Sequence, residues 1–124
     1  MKAGEIGWNE LMTSDPAGAI QFYSELFGWE TQKFPESGMD YTMFTLGGKP
    51  FGGVLKPQHP GTPTAWINYV VVEDVDATVA KCTSLGGKTC LPPMDIPMVG
   101  RVAIINDPQG ATVGLHQPPK NQAP

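Results

Sequence analysis

The chain has 124 residues, the size of one ordinary domain, and is rich in glycine (15) and proline (13). Its net charge is −4 and its eight lysines and arginines are scattered. Nucleic acid is bound through clustered basic residues, so it is not an expected partner. No apolar run approaches the roughly 18 residues of a membrane span, and residues 1–7 carry no signal-peptide core. We therefore expect a cytoplasmic protein without a membrane partner.

The first half of the chain predicts a strand, a helix and three further strands. Residues 8–13 alternate as a strand does, and Asp15 followed by Pro16 is typical of a helix start. Apolar residues at helical spacing continue the helix over 17–27, and Gly28 ends it. The three later strands are predicted over 29–34, 41–46 and 52–56.

The same order follows again after a proline-rich linker over 57–64. A strand over 65–72 precedes a helix that Asp74 caps and that runs over about 75–85, with Gly86-Gly87 as its end. Strands are predicted over 88–91, 101–105 and 112–116, with a turn at Pro92-Pro93. Residues 118–124 are expected to form a frayed tail.

The two halves match position by position. Asp15 corresponds to Asp74 and Gly28 to Gly87 at equal spacing. Such a match predicts a duplicated βαβββ unit, with one module over about 6–56 and the other over about 65–117, in an α+β fold. The alternative is an unrelated α+β fold in which two helix signals coincide.

Three stretches resemble the vicinal oxygen chelate superfamily, which includes glyoxalase I, bleomycin-resistance proteins and extradiol dioxygenases. They are Asp15-Pro16 with Phe22-Tyr23 and 26–29, Trp66 and Tyr69 with 72–76, and Gly100-Arg101 with 107–111. The resemblance implies two βαβββ modules that form a curved, half-open mixed sheet. It also implies a small-molecule ligand in the cavity between the modules, and often a homodimer.

Metal-dependent members of that superfamily place metal ligands at four positions. In this sequence the resemblance puts Trp8, Ile67, Gly114 and either Gly52 or Gly53 there, and none of these side chains coordinates a metal. We therefore expect neither a metal nor another cofactor, which argues against glyoxalase-type isomerisation and extradiol cleavage. An unusual site built on Glu10 and His116 stays open as an alternative, while His59 lies in the proline-rich linker.

Strand alternation predicts which side chains face the ligand. In the two first strands these are Trp8, Glu10, Met12, Ile67, Tyr69 and Val71. The result is a mostly apolar pocket with the Glu10 carboxylate opposite the Tyr69 phenol. Glu10 on the solvent face and Tyr69 as a core residue are the alternatives. Arg101, the one arginine, is expected either to clamp a ligand anion or to form a surface ion pair.

Two functions fit this pattern. The first is a module that binds an apolar or aromatic small molecule without chemical change. The second is a lyase, isomerase or dioxygenase-like enzyme in which Glu10 is the tentative catalytic acid or base, or part of the unusual metal site. A structural or regulatory dimer partner would follow if the cavity were filled.

Overall fold

The computed structural model describes residues 2–57 and 62–119. Its elements run twice through the order strand, helix and three strands, which confirms the duplicated βαβββ unit and the α+β class. In chain order they are β1 (Ile6–Met12), α1 (Pro16–Phe27), β2 (Glu30–Lys33), β3 (Thr42–Leu46), β4 (Lys49–Leu55), β5 (Ala65–Val71), α2 (Val75–Ser84), β6 (Lys88–Ile96), β7 (Gly100–Asn106) and β8 (Thr112–Gln117). None of the helices within the described ranges is long and apolar enough to cross a membrane.

The chain divides into two compact units whose boundaries fall inside β1 and β5. The first unit is Trp8–Ile67, and the second joins the residues up to Gly7 with those from Asn68 onward. The strand order is β2-β3-β4-β1 in the first unit and β5-β8-β7-β6 in the second. In each, the first strand pairs in parallel with the fourth, and the other pairs are antiparallel. The cavity predicted between the modules stays a prediction.

Both helices begin where the sequence predicts. The Asp15 carboxylate accepts a hydrogen bond from the Gly18 amide at 3.0 Å, and the Asp74 carboxylate accepts one from Ala77 at 3.1 Å. Gly28 ends α1 with a left-handed φ of 75°. After α2 the left-handed residue is Gly86, with φ 96°, so the predicted match of Gly28 with Gly87 is wrong by one residue.

Two strand boundaries differ from the prediction for local reasons. Strand β4 begins at Lys49 rather than at residue 52, because Gly47 and Gly48 both have positive φ and close a tight hairpin between β3 and β4. The turn predicted at Pro92-Pro93 is wrong, since β6 continues through both prolines. β6 is an edge strand whose pairing with β7 shifts register around them, and proline is tolerated in such a place.

Each unit packs the inner face of its helix against its own sheet. In the first unit, Leu11, Phe44 and Val54 form a buried cluster against which Ala19, Ile20 and Tyr23 of α1 pack. In the second, Val75 of α2 packs with Ala103 and Leu115, and Val72 joins them. Burial of this apolar surface is the main force that holds helix and sheet together.

Candidate functional site

The sheet of the first unit has one face covered by α1 and one face turned away from it. Leu11 of β1 lies opposite Val54 of β4, and both pack toward the helix. Neighbouring residues on a strand point to opposite faces, so Glu10 and its partner Gly53 belong to the face turned away from α1. This face of the first unit, with Trp8, Glu10, Met12 and Tyr41, is called the open face below.

A chain of three polar side chains lies on the open face. The Trp8 indole Nε1–H donates to the Tyr41 hydroxyl at 2.8 Å. The Tyr41 hydroxyl donates to Glu10 Oε1 at 3.0 Å. Glu10 and Tyr41 are buried, with 8% and 7% exposed, while Trp8 is partly exposed. Glu10 is therefore a buried carboxylate with a hydrogen-bond donor directed at it, not a residue of the solvent surface.

The environment keeps Tyr41 in its protonated form. Burial, and next the negative charge of Glu10, raise the pKa of the Tyr41 phenol well above its ordinary value of 10.0. A neutral phenol retains the proton that it donates to Glu10.

Gly53 makes room for Tyr41. A Cβ built at Gly53 would overlap the Tyr41 hydroxyl and ring. The phenol therefore lies directly on the backbone of β4, where only glycine leaves enough space. The sequence did not identify Tyr41 as a site residue, because it was only the first residue of a predicted strand. The available signal was the Gly52-Gly53 pair in the next strand, which offers space for an aromatic ring.

The second unit repeats this arrangement with Tyr69 and Gly114. These two residues pair across β5 and β8, and a Cβ at Gly114 would overlap the Tyr69 ring. Tyr69 and Val71 are buried in this unit, and Met12 and Ile67 are buried in the first unit. Glu10 accepts a hydrogen bond from Tyr41 of its own unit, and the predicted position of the Tyr69 phenol opposite Glu10 stays a prediction. Whether these side chains bind a ligand stays a prediction.

The positions that the resemblance assigns to metal ligands hold no coordinating side chain in this sequence, and the absence of a metal stays a prediction. Gly53 and Gly114 have no side chain, and tyrosine rings cover the space beside them. His116 holds Nε2 at 2.7 Å from the Val99 carbonyl oxygen, so that nitrogen carries a proton and cannot coordinate. Across residues 2–57 and 62–119, no three His, Cys, Asp or Glu side chains are grouped to hold a metal ion. His59 lies outside the described residues.

Arg101 is engaged by carboxylates of its own unit. Its guanidinium forms a two-pronged bond with Asp76, at 2.7 and 3.0 Å, and a third with Asp95 at 3.1 Å. Hydrogen bonding to Arg101 lowers the pKa of the Asp76 carboxyl, and the hydrogen bonds to Asp76 and then Asp95 raise the pKa of Arg101. The geometry matches the surface ion pair, and a ligand anion would have to compete with two carboxylates.

Trp66 belongs to the packing of the first unit. Its indole Nε1–H donates to the Tyr23 hydroxyl of α1 at 3.0 Å, and the two rings meet edge to face at 5.4 Å. The rings of Trp29 and Phe44 lie next to the same indole, with ring centroids 6.2 and 6.0 Å from it. A second tryptophan–tyrosine hydrogen bond thus exists in this unit, on the helix side and without a carboxylate.

Comparisons with known proteins agree on one family. Residues 5–115 match the family model described as "Glyoxalase/Bleomycin resistance protein/Dioxygenase superfamily". The "Putative glyoxylase CFP32" of Mycobacterium tuberculosis is 38% identical over 122 residues, which are 98% of this chain and 47% of that protein. The "Anthracycline biosynthesis protein DnrV" of Streptomyces peucetius is 32% identical over 127 residues, 90% of this chain and 46% of that protein.

The chain spans about half the length of these two curated relatives. Among solved structures, a variant of Streptomyces coelicolor methylmalonyl-CoA epimerase in complex with 2-nitronate-propionyl-CoA is similar with a TM-score of 0.64. It is 18% identical, and the match covers 99% of this chain and 100% of that one. At this identity the likeness shows the fold alone.

Proposed function

The chain belongs to the Glyoxalase/Bleomycin resistance protein/Dioxygenase superfamily, and from this premise we propose that it binds an apolar or aromatic small molecule on the open face. The observation that carries the proposal is the buried Glu10 carboxylate, held by Tyr41 and Trp8 on a surface that also presents Met12. A few fixed polar groups in apolar surroundings are the usual composition of a small-molecule site.

The hydrogen-bonded side chains of Trp8, Tyr41 and Glu10 would orient the ligand, and the neighbouring side chains would provide contact area for it. Glu10 offers an acceptor fixed in place by Tyr41, since Tyr41 itself is confined between Gly53 and the Trp8 indole. Trp8 and Met43 are partly exposed, so a ligand would enter beside them. The name of the Streptomyces peucetius relative refers to anthracyclines, which are polycyclic aromatic compounds, and this supports an aromatic ligand as the first class to screen.

The proposal is tested by a thermal-shift screen of aromatic compounds, because a ligand that binds the folded state raises the melting temperature. Glu10→Gln keeps the shape of the side chain and removes its charge. We expect it to weaken each hit about ten- to hundredfold, as the loss of one buried polar partner does. Glu25→Gln, which removes an exposed charge on α1, is the matched control. A screen without hits, or hits that bind Glu10→Gln as tightly as the parent, would contradict the proposal.

A second candidate is an enzyme of the lyase, isomerase or dioxygenase-like type with Glu10 as acid or base. The name of the Mycobacterium tuberculosis relative and the burial of Glu10 favour it. The hydrogen bond from Tyr41 works against it, because the phenol proton already occupies one oxygen of the Glu10 carboxylate. Turnover of the methylglyoxal–glutathione adduct or of catechols, lost in Glu10→Gln, would favour the enzyme over the binding module.

A further inference from the structure

The second unit contains a hollow between two of its segments. Residues of the segment 95–101, around the turn between β6 and β7, line one side, and residues 117–119, at the end of β8 and beyond it, line the other. The volume of this hollow is about 440 Å³, within the range of small-molecule sites. All its lining residues belong to the second unit, so the hollow is distinct from the open face, which belongs to the first.

Most of the lining of the hollow is apolar and comes from Ile96, Pro97, Met98, Pro118 and Pro119. Met98 is 65% exposed and has a left-handed φ of 67°. It follows Pro97 in a turn that the Val99 amide closes by donating to the Ile96 carbonyl oxygen at 3.1 Å, and glycine is the usual residue at that position of such a turn. A strained backbone that keeps a large, exposed apolar side chain at the hollow points to a functional reason for it.

Arg101 contributes a guanidinium group whose edges are already occupied. Its side chain is 31% exposed, and it lines the hollow. The bonds to Asp76 and Asp95 use three of its N–H groups and lie in the plane of the guanidinium. A ligand in the hollow therefore meets a flat face of this group, on which aromatic rings stack, or its remaining N–H groups. The two carboxylates outnumber the one positive charge, which disfavours an anionic ligand.

Gln117 has a side-chain amide whose orientation is fixed by α2. Its Oε1 accepts a hydrogen bond from the Val75 amide at 2.9 Å, so the other atom of the amide is the NH₂ group, which donates. Within residues 2–57 and 62–119, the structure gives this nitrogen no hydrogen-bond partner. Because Gln117 also lines the hollow, its NH₂ group suits a ligand that brings an acceptor oxygen.

We infer that this hollow is a second ligand site, which binds a neutral, flat aromatic compound with a carbonyl oxygen. The ring lies against the Arg101 guanidinium and the apolar lining, and the carbonyl oxygen accepts from the Gln117 NH₂ group. The inference goes beyond the proposed function, because the hollow and the open face share no residue. It is carried by the lining of the hollow, by the in-plane bonds of Arg101 and by the fixed orientation of Gln117.

Three probes that share one bicyclic skeleton test the inference. Coumarin is flat, neutral and carries one carbonyl group, octahydrocoumarin keeps the carbonyl group and loses the flat ring, and coumarin carboxylate adds a negative charge. Each is titrated to millimolar concentration into isotope-labelled protein, and the amide signals are followed by NMR. We expect coumarin to bind at least about threefold more tightly than either of the other two. Coumarin should shift the signals of Met98, Gly100 and the Gln117 NH₂ group.

Two variants separate the donor of Gln117 from its structural role. Gln117→Glu keeps an oxygen that accepts from Val75 and deletes the NH₂ donor, so coumarin should bind about three- to tenfold more weakly while the melting temperature is not lowered. Gln21→Glu makes the same change in charge at an exposed position of α1, and this matched control should bind coumarin as the parent does.

Three results would overturn the inference: no binding of coumarin at millimolar concentration, equally tight binding of octahydrocoumarin, or equally tight binding of coumarin to Gln117→Glu. Coumarin that shifts only signals around Trp8 and Glu10 would also overturn it, while supporting the proposed function. The proposed function keeps its own test, the effect of Glu10→Gln on aromatic hits, so the two can fail separately.

Discussion

Removing the Tyr41 hydroxyl tests how much the hydrogen bonds among Trp8, Tyr41 and Glu10 contribute to protein stability. Tyr41→Phe keeps the ring that packs on Gly53 and deletes two hydrogen bonds, from Trp8 at 2.8 Å and to Glu10 at 3.0 Å. A neutral hydrogen bond contributes about 1 kcal/mol and one to a charged group about 1.5–3 kcal/mol. We therefore expect the free energy of unfolding to fall by about 2.5–4 kcal/mol, as measured by urea denaturation.

The chain contains a matched control for this experiment. Tyr23 accepts a hydrogen bond from the Trp66 indole at 3.0 Å, in an exposed position. Tyr23→Phe should cost about 0.5–1 kcal/mol, the contribution of one neutral bond. A double-mutant cycle between Tyr41→Phe and Glu10→Gln should give a coupling of about 1 kcal/mol or more. If Tyr41→Phe destabilises the protein no more than Tyr23→Phe does, the buried hydrogen bonds among Trp8, Tyr41 and Glu10 do not stabilise the fold.

Four further expectations follow from the same contacts. The folded state raises the Tyr41 pKa above 10.0, so this contribution to stability is complete below about pH 10 and is lost as the pH rises; alkaline denaturation should be less steep in Tyr41→Phe. Gly53→Ala should cost about 1–3 kcal/mol through overlap with Tyr41, and less in a Tyr41→Ala background. Protein purified without chelators should hold no stoichiometric zinc, nickel, iron or manganese by elemental analysis. About one metal ion per chain would contradict the prediction that the chain lacks metal ligands. We also propose a homodimer: light scattering at micromolar concentration should give twice 13.3 kDa, and the monomer mass would exclude it.

Local patterns in the sequence were enough to predict the order of the elements and the start of each helix. Asp15 and Asp74 cap helices because a side-chain oxygen reaches an amide three residues away, an interaction that needs no distant partner. Alternation in β1 likewise separates Leu11, which packs on α1, from Glu10 on the opposite face. Where the local rule was less strict, the prediction failed: the turn predicted at Pro92-Pro93 is part of a strand, and the counterpart of Gly28 is Gly86 rather than Gly87.

Only the tertiary structure brings the Tyr41 hydroxyl to the Glu10 carboxylate. Tyr41 lies 31 positions along the chain, and its hydroxyl reaches Glu10 because β4 pairs with both β1 and β3 and because Gly53 leaves room for the ring. The same holds for Arg101, whose partner Asp76 is 25 positions away on a helix. A buried polar group takes its partner from strand register and packing, which are properties of distant segments brought together, so the residue types alone could indicate Glu10 but not Tyr41.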